Sequence, residues 1–285
     1  MAAGSEDVAH APARFAIGVT GVGHAMYSAA VAGLGALLFS GQFVYIWAPI
    51  PPWVPWGDVL ASASGALMVV SAVGLLWRKT VALSSSILTF LFLSWLLLLH
   101  MPQVIAAPSE ELLWAGVAEI ATLVAGSWVL FASLASLTED PRAWFRGGRG
   151  VRMARSLYAA ALPLLGLHHF LAERAVDVVP AWLPLRPGWV YLTGVAHIAA
   201  GAAILLGIVP RLAATLEAVM ISAFVLLVHV PGVIGDPGAQ LQWTMFFAAS
   251  ATGGAAWIVA HSYGGGAALT SHAKGNEAAA HGCST

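Results

Sequence analysis

Residues 81–101, VALSSSILTFLFLSWLLLLHM, decide the fold class of this chain. The stretch contains no Asp, Glu, Lys or Arg, and it matches the roughly 20 apolar residues that an α-helix needs to cross the hydrocarbon core of a bilayer. Because lipid offers no hydrogen-bond partners to the backbone, such a segment must satisfy its own amides and carbonyls as a helix. Residues 81–101 therefore predict a transmembrane helix.

The composition of the whole chain agrees with a membrane protein. Of 285 residues, 59% are hydrophobic and 9% are charged, and the mean hydropathy is +0.83. A soluble domain carries about a quarter charged residues. The net charge of −1 argues against nucleic acid as a partner, because phosphate binding needs a concentrated basic face. The single cysteine, Cys283, excludes an internal disulfide and a CxxC motif.

Seven further segments have the length and apolar character of residues 81–101. Proline-rich or charged breaks separate them, such as APIPPWVPWGD and TEDPRAWFRGGRGVR. The chain is therefore expected to be an all-α integral membrane protein with eight transmembrane helices. The predicted spans are residues 22–47, 59–78, 81–101, 112–136, 153–177, 189–209, 211–230 and 241–262.

The distribution of basic residues predicts the orientation in the membrane. With eight spans, the side that carries the N-terminus receives ten of the twelve Lys and Arg residues. By the positive-inside rule this side is cytoplasmic, so both termini are expected in the cytoplasm and the protein in the inner membrane. Residues 1–21 are predicted as a cytoplasmic segment, 137–152 as a basic cytoplasmic linker and 263–285 as a disordered tail.

The chain repeats itself at an offset of 129 residues. Three tryptophan pairs coincide at this offset, whereas chance would give about 0.3. His100 coincides with His229, and both are followed by a proline two residues later. Residues 22–136 and 153–262 are therefore predicted to be two four-helix repeats. Because each has an even number of spans, the repeats must be parallel.

Histidines are predicted to meet in the outer leaflet of the second repeat. His168 and His169 lie about eight residues before the end of span five, at a depth of roughly 12 Å, and His197 lies at a similar depth in span six. His229 ends span seven. An ionisable residue inside a span is a functional hypothesis by default. We therefore expect His169, His197 and His229 to bind a cofactor, with His100 as their counterpart in the first repeat.

A metal site is a second interpretation of the same cluster. His169, Glu173 and Asp177 have i, i+4, i+8 spacing, which places them on one face of a helix. Imidazole and carboxylate groups in a helix bundle suit a transition metal, a haem iron or a proton relay to a quinone. The predicted metal ligands are His168, His169, Glu173, His197 and His229. The alternative is that these histidines only bond backbone carbonyls and hold helices together.

Three segments of the second half resemble the DoxX and DoxX-like membrane proteins. They are LLGLHHFLAERAVDVVPAWLP, GWVYLTGVAHIAAGAAILLGIVPRLAA and LLVHVPG. His229 and His100 match the family histidine, whereas the acidic residue of the family's second helix falls on His197 and, in the first half, on Met68. The resemblance implies redox-linked roles, such as a membrane subunit of a thiosulfate:quinone oxidoreductase or an accessory protein of thiol or amine oxidation.

The leading hypothesis is a membrane redox subunit that binds a quinone, a metal or haem, with catalytic residues unassigned. An accessory or assembly subunit that packs against partner subunits, or forms a homo-oligomer, is the alternative. A small-solute or proton-coupled transporter is a third possibility, for which Glu217 is nearly alone at mid-membrane. In each case the lipid bilayer is the common partner.

Overall fold

The computed structural model describes residues 21–39, 54–134, 145–172 and 175–264, and every regular element within them is helical. This confirms the all-α prediction. The α-helices are α1 (Val22–Phe39), α2 (Gly57–Gly74), α3 (Val81–Trp95), α4 (Met101–Ala106), α5 (Glu111–Leu134), α6 (Gly147–Leu171), α7 (Ala175–Val178), α8 (Arg186–Leu206), α9 (Pro210–Phe224), α10 (Val230–Gly235) and α11 (Gln240–Ser262).

Seven helical segments of the described chain are long and apolar enough to cross a membrane, which is consistent with an integral membrane protein. They correspond to seven of the eight predicted spans. The eighth prediction, 153–177, falls on α6, which has 25 residues but is less apolar because it carries three arginines and two histidines.

The end of α6 corrects one prediction. The helix ends at Leu171, and Ala172 is extended, with φ −68° and ψ 113°. Asp177 belongs to the separate short helix α7. It therefore does not share a helical face with His169, and Glu173 lies outside the described residues. His168 and His169 occupy the last turn of α6, nearer its end than the span prediction placed them.

Two π-helical turns interrupt the long third helices of the two halves. The first π turn, Leu96–His100, joins α3 to α4, and the second, Val225–His229, joins α9 to α10. Each is followed by a proline, which cannot donate to the preceding turn and crowds the carbonyl four residues earlier. A locally wider turn relieves this conflict without ending the helix.

The same local features recur at the sequence offset of 129. The bounds of α3, the first π turn and α4 become those of α9, the second π turn and α10 when 129 is added to each residue number. Trp56 and Leu185, which have the same separation, are both left-handed, with φ 64° and 54°, and each precedes the second helix of its half. The Trp114 and Trp243 indoles both donate to a proline carbonyl six residues earlier.

Helices α5 and α11 lie at the centre of the described structure. Each packs on the third helix of its own half, α3 or α9, and on the first helix of the other half, α6 or α1. The two central helices also contact each other, and the hydroxyl groups of Thr122 and Thr252 are 3.2 Å apart across this contact. On the other side of the second half, α8 packs on α6 and α9, and α9 packs on α8 and α11.

The first two helices of each half cross at a pair of glycines. A Cβ atom on Gly35 would lie 2.8 Å from the Gly65 carbonyl oxygen, and one on Gly166 would lie 2.5 Å from that of Gly194. Such distances require glycine, because backbone atoms on the facing helix cannot move aside. The crossings fix how α1 meets α2 and how α6 meets α8.

The glycine crossings also correct the comparison of the two first helices. Gly35 and Gly166 differ by 131 residues, as do the fully buried Tyr27 and Tyr158. The counterparts of His168 and His169 are therefore Leu37 and Leu38, not Phe39 and Ser40 as the offset of 129 predicts.

Candidate functional site

A buried histidine–glutamate pair lies inside the second half of the bundle. His197, near the middle of α8, places its Nδ1 atom 2.6 Å from Oε1 of Glu217 in α9. Their side chains are only 4% and 1% exposed. A buried ionisable group loses its hydration, and a hydrogen bond to a second buried group compensates for that loss. This contact defines the candidate site.

The equivalent positions of the first half are apolar. At the offset of 129, His197 corresponds to Met68 and Glu217 to Leu88, which are 1% and 0% exposed. Methionine and leucine therefore fill the equivalent space of the first half, and close packing of the helices does not require a polar pair. At these two positions the second half has the polar pair and the first half has two apolar residues.

His169 brings a second imidazole to the site. Its ring centroid lies 5.0 Å from that of His197, with the planes tilted by 50°. The ring of Phe224 lies 6.3 Å from each of the two histidines and closes the group on the α9 side. The structure thus brings together two of the histidines predicted from the sequence to bind a cofactor.

Both imidazoles are oriented through their Nδ1 atoms. His197 Nδ1 faces the Glu217 carboxylate, and the Nδ1–H group of His169 donates to the Leu165 carbonyl oxygen at 2.8 Å. In a neutral imidazole with hydrogen on Nδ1, Nε2 is the acceptor. A hydrogen bond at Nδ1 also fixes the orientation of the ring, and it leaves Nε2 available to bind a ligand or a proton. The pair of rings can therefore accept or return protons at Nε2.

His168 belongs to a different contact. Its Nδ1 atom is paired with Oε2 of Glu111, the first residue of α5, and the two side chains are about one third exposed, at 30% and 32%. The ring centroid of His168 lies 6.4 Å from that of His169. His168 therefore links α6 to α5 at the end of the bundle.

His229 and His100 are the last residues of the two π turns. Among the described residues, no hydrogen bond or ring contact joins His229 to His169 or His197. His100 is buried in the first half, and its Nε2 atom has no hydrogen-bond partner in the described part of the chain. The part of His229 and His100 in cofactor binding therefore stays a prediction.

The predicted metal ligands do not form a set in the described ranges. Across residues 21–39, 54–134, 145–172 and 175–264, no three His, Cys, Asp or Glu side chains are arranged to hold a metal ion. Glu173 lies outside these ranges, so the full predicted set of His168, His169, Glu173, His197 and His229 stays a prediction.

The contact between Glu217 and His197 is the main feature of the site that the sequence did not predict. Glu217 pairs with His197 on the neighbouring helix. The available signal was the repeat itself, since Met68 and Leu88 both become polar at the offset of 129. Two buried positions that change together on neighbouring helices indicate a contact between them.

The described residues thus define an all-α protein with apolar helices of membrane-spanning length and a polar pair enclosed by one half. A protein-family model described as a domain of unknown function (DUF8561) matches residues 158–244. No curated protein and no solved structure matches the chain. The matched range begins at Tyr158 and contains the whole candidate site, but it includes neither Met68 nor Leu88.

Proposed function

We propose that this chain is a membrane subunit that binds a quinone beside His169 and His197 and exchanges protons with it. The observation that carries the proposal is the His197–Glu217 contact of 2.6 Å between two almost fully buried side chains. An ionisable pair enclosed by apolar helices is costly to maintain for packing alone. The apolar counterparts Met68 and Leu88 support a chemical role.

The chemistry of a quinone fits these groups. Interconversion of quinone and hydroquinone moves two electrons and two protons. In the direction of reduction, His197 would supply from Nε2 the proton that one quinone oxygen takes up, while its Nδ1–H group remains hydrogen-bonded to Glu217, and the other quinone oxygen would take its proton from water. A redox centre in a partner subunit supplies the electrons. The resemblance to DoxX proteins favours a sulfur compound or thiol as the original electron donor.

Haem fits the observed geometry less well than quinone. Two imidazoles on opposite sides of one metal, with metal–nitrogen bonds of about 2.0–2.1 Å, would hold their ring centroids roughly 6 Å apart. The centroids of His169 and His197 are 5.0 Å apart, which leaves no room for a macrocycle between them. This distance disfavours a haem held between the two imidazoles.

The proposal also includes the larger architecture. We infer two parallel four-helix repeats in the inner membrane, with both termini in the cytoplasm and α6 as the eighth span. The matching bounds of the third helices, the paired π turns and the two glycine crossings support the repeats. The lipid bilayer then supplies the route by which a quinone reaches α8 and α9.

Binding of a short-chain ubiquinone analogue to the protein in detergent or nanodiscs tests the proposal. We expect saturable binding, measured by calorimetry or by quenching of tryptophan fluorescence. The double variant His197→Met/Glu217→Leu, which copies the first half, should bind at least about tenfold more weakly. Met68→Leu is the matched control and should bind normally. Equal affinity of the double variant and the unchanged protein would exclude the site.

A proton-coupled transporter is the second candidate. Its support is the position of His197 near the middle of α8, where a proton-binding group can be reached from either side in turn. Acidification of reconstituted vesicles, followed with a pH-sensitive dye, separates the two candidates. A proton flux that needs Glu217 but no quinone favours the transporter.

A further inference from the structure

Two buried polar atoms, one in α6 and one in α9, have no hydrogen-bond partner among the described residues. They are Oε2 of Glu217, the oxygen that does not face His197, and the hydroxyl oxygen of Tyr158 in α6. Glu217 is 2% exposed and Tyr158 is 0% exposed. Buried polar atoms without partners are rare, because they lose their bonds to water and gain nothing in return.

The corresponding tyrosine of the first half, Tyr27, has a hydrogen-bond partner for its hydroxyl group. Tyr27 is equally buried, and its hydroxyl donates to the Leu123 carbonyl oxygen at 2.6 Å. Tyr158 does not make the corresponding bond. A Cβ atom on Gly201, one turn beyond His197 in α8, would lie 2.6 Å from the carbonyl oxygen of Ala159, the neighbour of Tyr158 in α6. Because α8 also packs on α9, Tyr158 and Glu217 both lie in the core that these three helices share.

We infer that Tyr158 and Glu217 bind one water molecule in the core bounded by α6, α8 and α9, and that this water extends the His197–Glu217 pair into a proton relay. Internal waters of proteins typically satisfy buried polar groups of this kind, with about three hydrogen bonds each. The Tyr158 hydroxyl donates to the water oxygen, and the water donates to Glu217 Oε2.

This arrangement gives each oxygen of Glu217 its own neighbour. His197 donates to Oε1 and the water donates to Oε2, so a proton that enters from either side is held by the same carboxyl group. His169, in ring contact with His197, is the other titratable group next to this relay. The use of the relay for quinone chemistry rests on the proposed function, whereas the water site does not.

Infrared difference spectroscopy of the reconstituted full-length protein tests the water site. Spectra are recorded on pH change, without quinone, in ordinary water and in water labelled with oxygen-18. We expect an internal water band that shifts with the label, and a carboxyl band that is lost in Glu217→Gln. Tyr158→Phe should remove the water band and shift the Glu217 band.

Tyr27→Phe is the matched control, and it should change neither band because its hydroxyl bonds a carbonyl in the first half. An unshifted Glu217 band and an intact water band in Tyr158→Phe would overturn the inference. If Tyr158→Phe does not fold, Glu217→Gln provides the test. An internal water band that is unchanged in Glu217→Gln would also overturn the inference. If the protein shows both bands but binds no quinone, the water site is supported and only the proposed quinone function is refuted.

Discussion

His197 and Glu217 depend on each other for their place in the core. Each is a polar group that loses its hydration when α8 and α9 pack, and each regains one strong hydrogen bond from the other, at 2.6 Å. Removing one partner leaves the other buried and alone, whereas replacing both with apolar groups removes the problem. The stability of the pair is therefore strongly non-additive.

This dependence predicts the result of a double-mutant cycle. Each of the single variants His197→Met and Glu217→Leu should lower the free energy of unfolding by about 1–3 kcal/mol, since each leaves a buried polar group without its partner. The double variant should be more stable than either single one, because it recreates the Met68–Leu88 packing. Thermal or denaturant unfolding, followed by circular dichroism, measures all four proteins.

Volume-conserving exchanges in the first half provide the control for this cycle. Met68→Leu and Leu88→Met should each lower the free energy of unfolding by less than about 1.5 kcal/mol. Their effects should add, because neither exchange leaves a buried polar group without a partner. If the costs of the two site variants simply added up, the energetic link between His197 and Glu217 would be disproved.

At the residue scale, the sequence pointed to the correct part of the chain but not to the correct pair. His197 was a candidate because an imidazole inside an apolar span is conspicuous. Its partner was not found, because Glu217 lies on another helix and contact between two helices depends on their rotation about their axes. Hydropathy gives the positions of spans along the chain, but it does not give that rotation.

The glycine crossings act at the scale of helices. Gly166 allows α6 to approach α8 closely, and a Cβ atom there would also lie 3.3 Å from the Cβ of His197. The crossing therefore sets the distance between the helix that carries His169 and the helix that carries His197. Gly35 does the same for α1 and α2, where the residue beside the crossing is the apolar Met68.

Alanine substitution separates packing from function at these crossings. Gly166→Ala and Gly35→Ala should each lower the free energy of unfolding by about 1–3 kcal/mol, because the new methyl group meets a backbone oxygen on the facing helix. Only Gly166→Ala should weaken binding of the ubiquinone analogue, since only it displaces His197. A loss of binding in Gly35→Ala as large as that in Gly166→Ala would contradict this assignment.

The π turns explain where the span predictions were wrong. The predicted spans 81–101 and 211–230 ended at Pro102 and Pro231, because proline disfavours a continuing α-helix. The structure continues helically to Ala106 and Gly235 through one wider turn in each case. Sequence patterns mark the position of such a proline, whereas the choice between a break and a π turn depends on the packing of the neighbouring helices.

At the scale of the whole molecule, the single cysteine offers a direct test of orientation. Cys283 lies in the C-terminal tail predicted to be cytoplasmic. A membrane-impermeant maleimide should therefore leave it unlabelled in intact cells and label it after the membrane is permeabilised. Ser284→Cys in a Cys283→Ser background is the control for local reactivity. Labelling of Cys283 in intact cells would contradict a cytoplasmic C-terminus.

The packing of α5 and α11 has a consequence for how such a protein can arise and specialise. Because each of these helices covers the first helix of the other half, a single four-helix unit of this design would leave apolar faces uncovered and would need a second copy as its partner. Joining the two copies in one chain guarantees that partner. One copy is then free to keep the ionisable pair while the other is shaped only for packing, so the fused molecule has one centre where a symmetric dimer would have two.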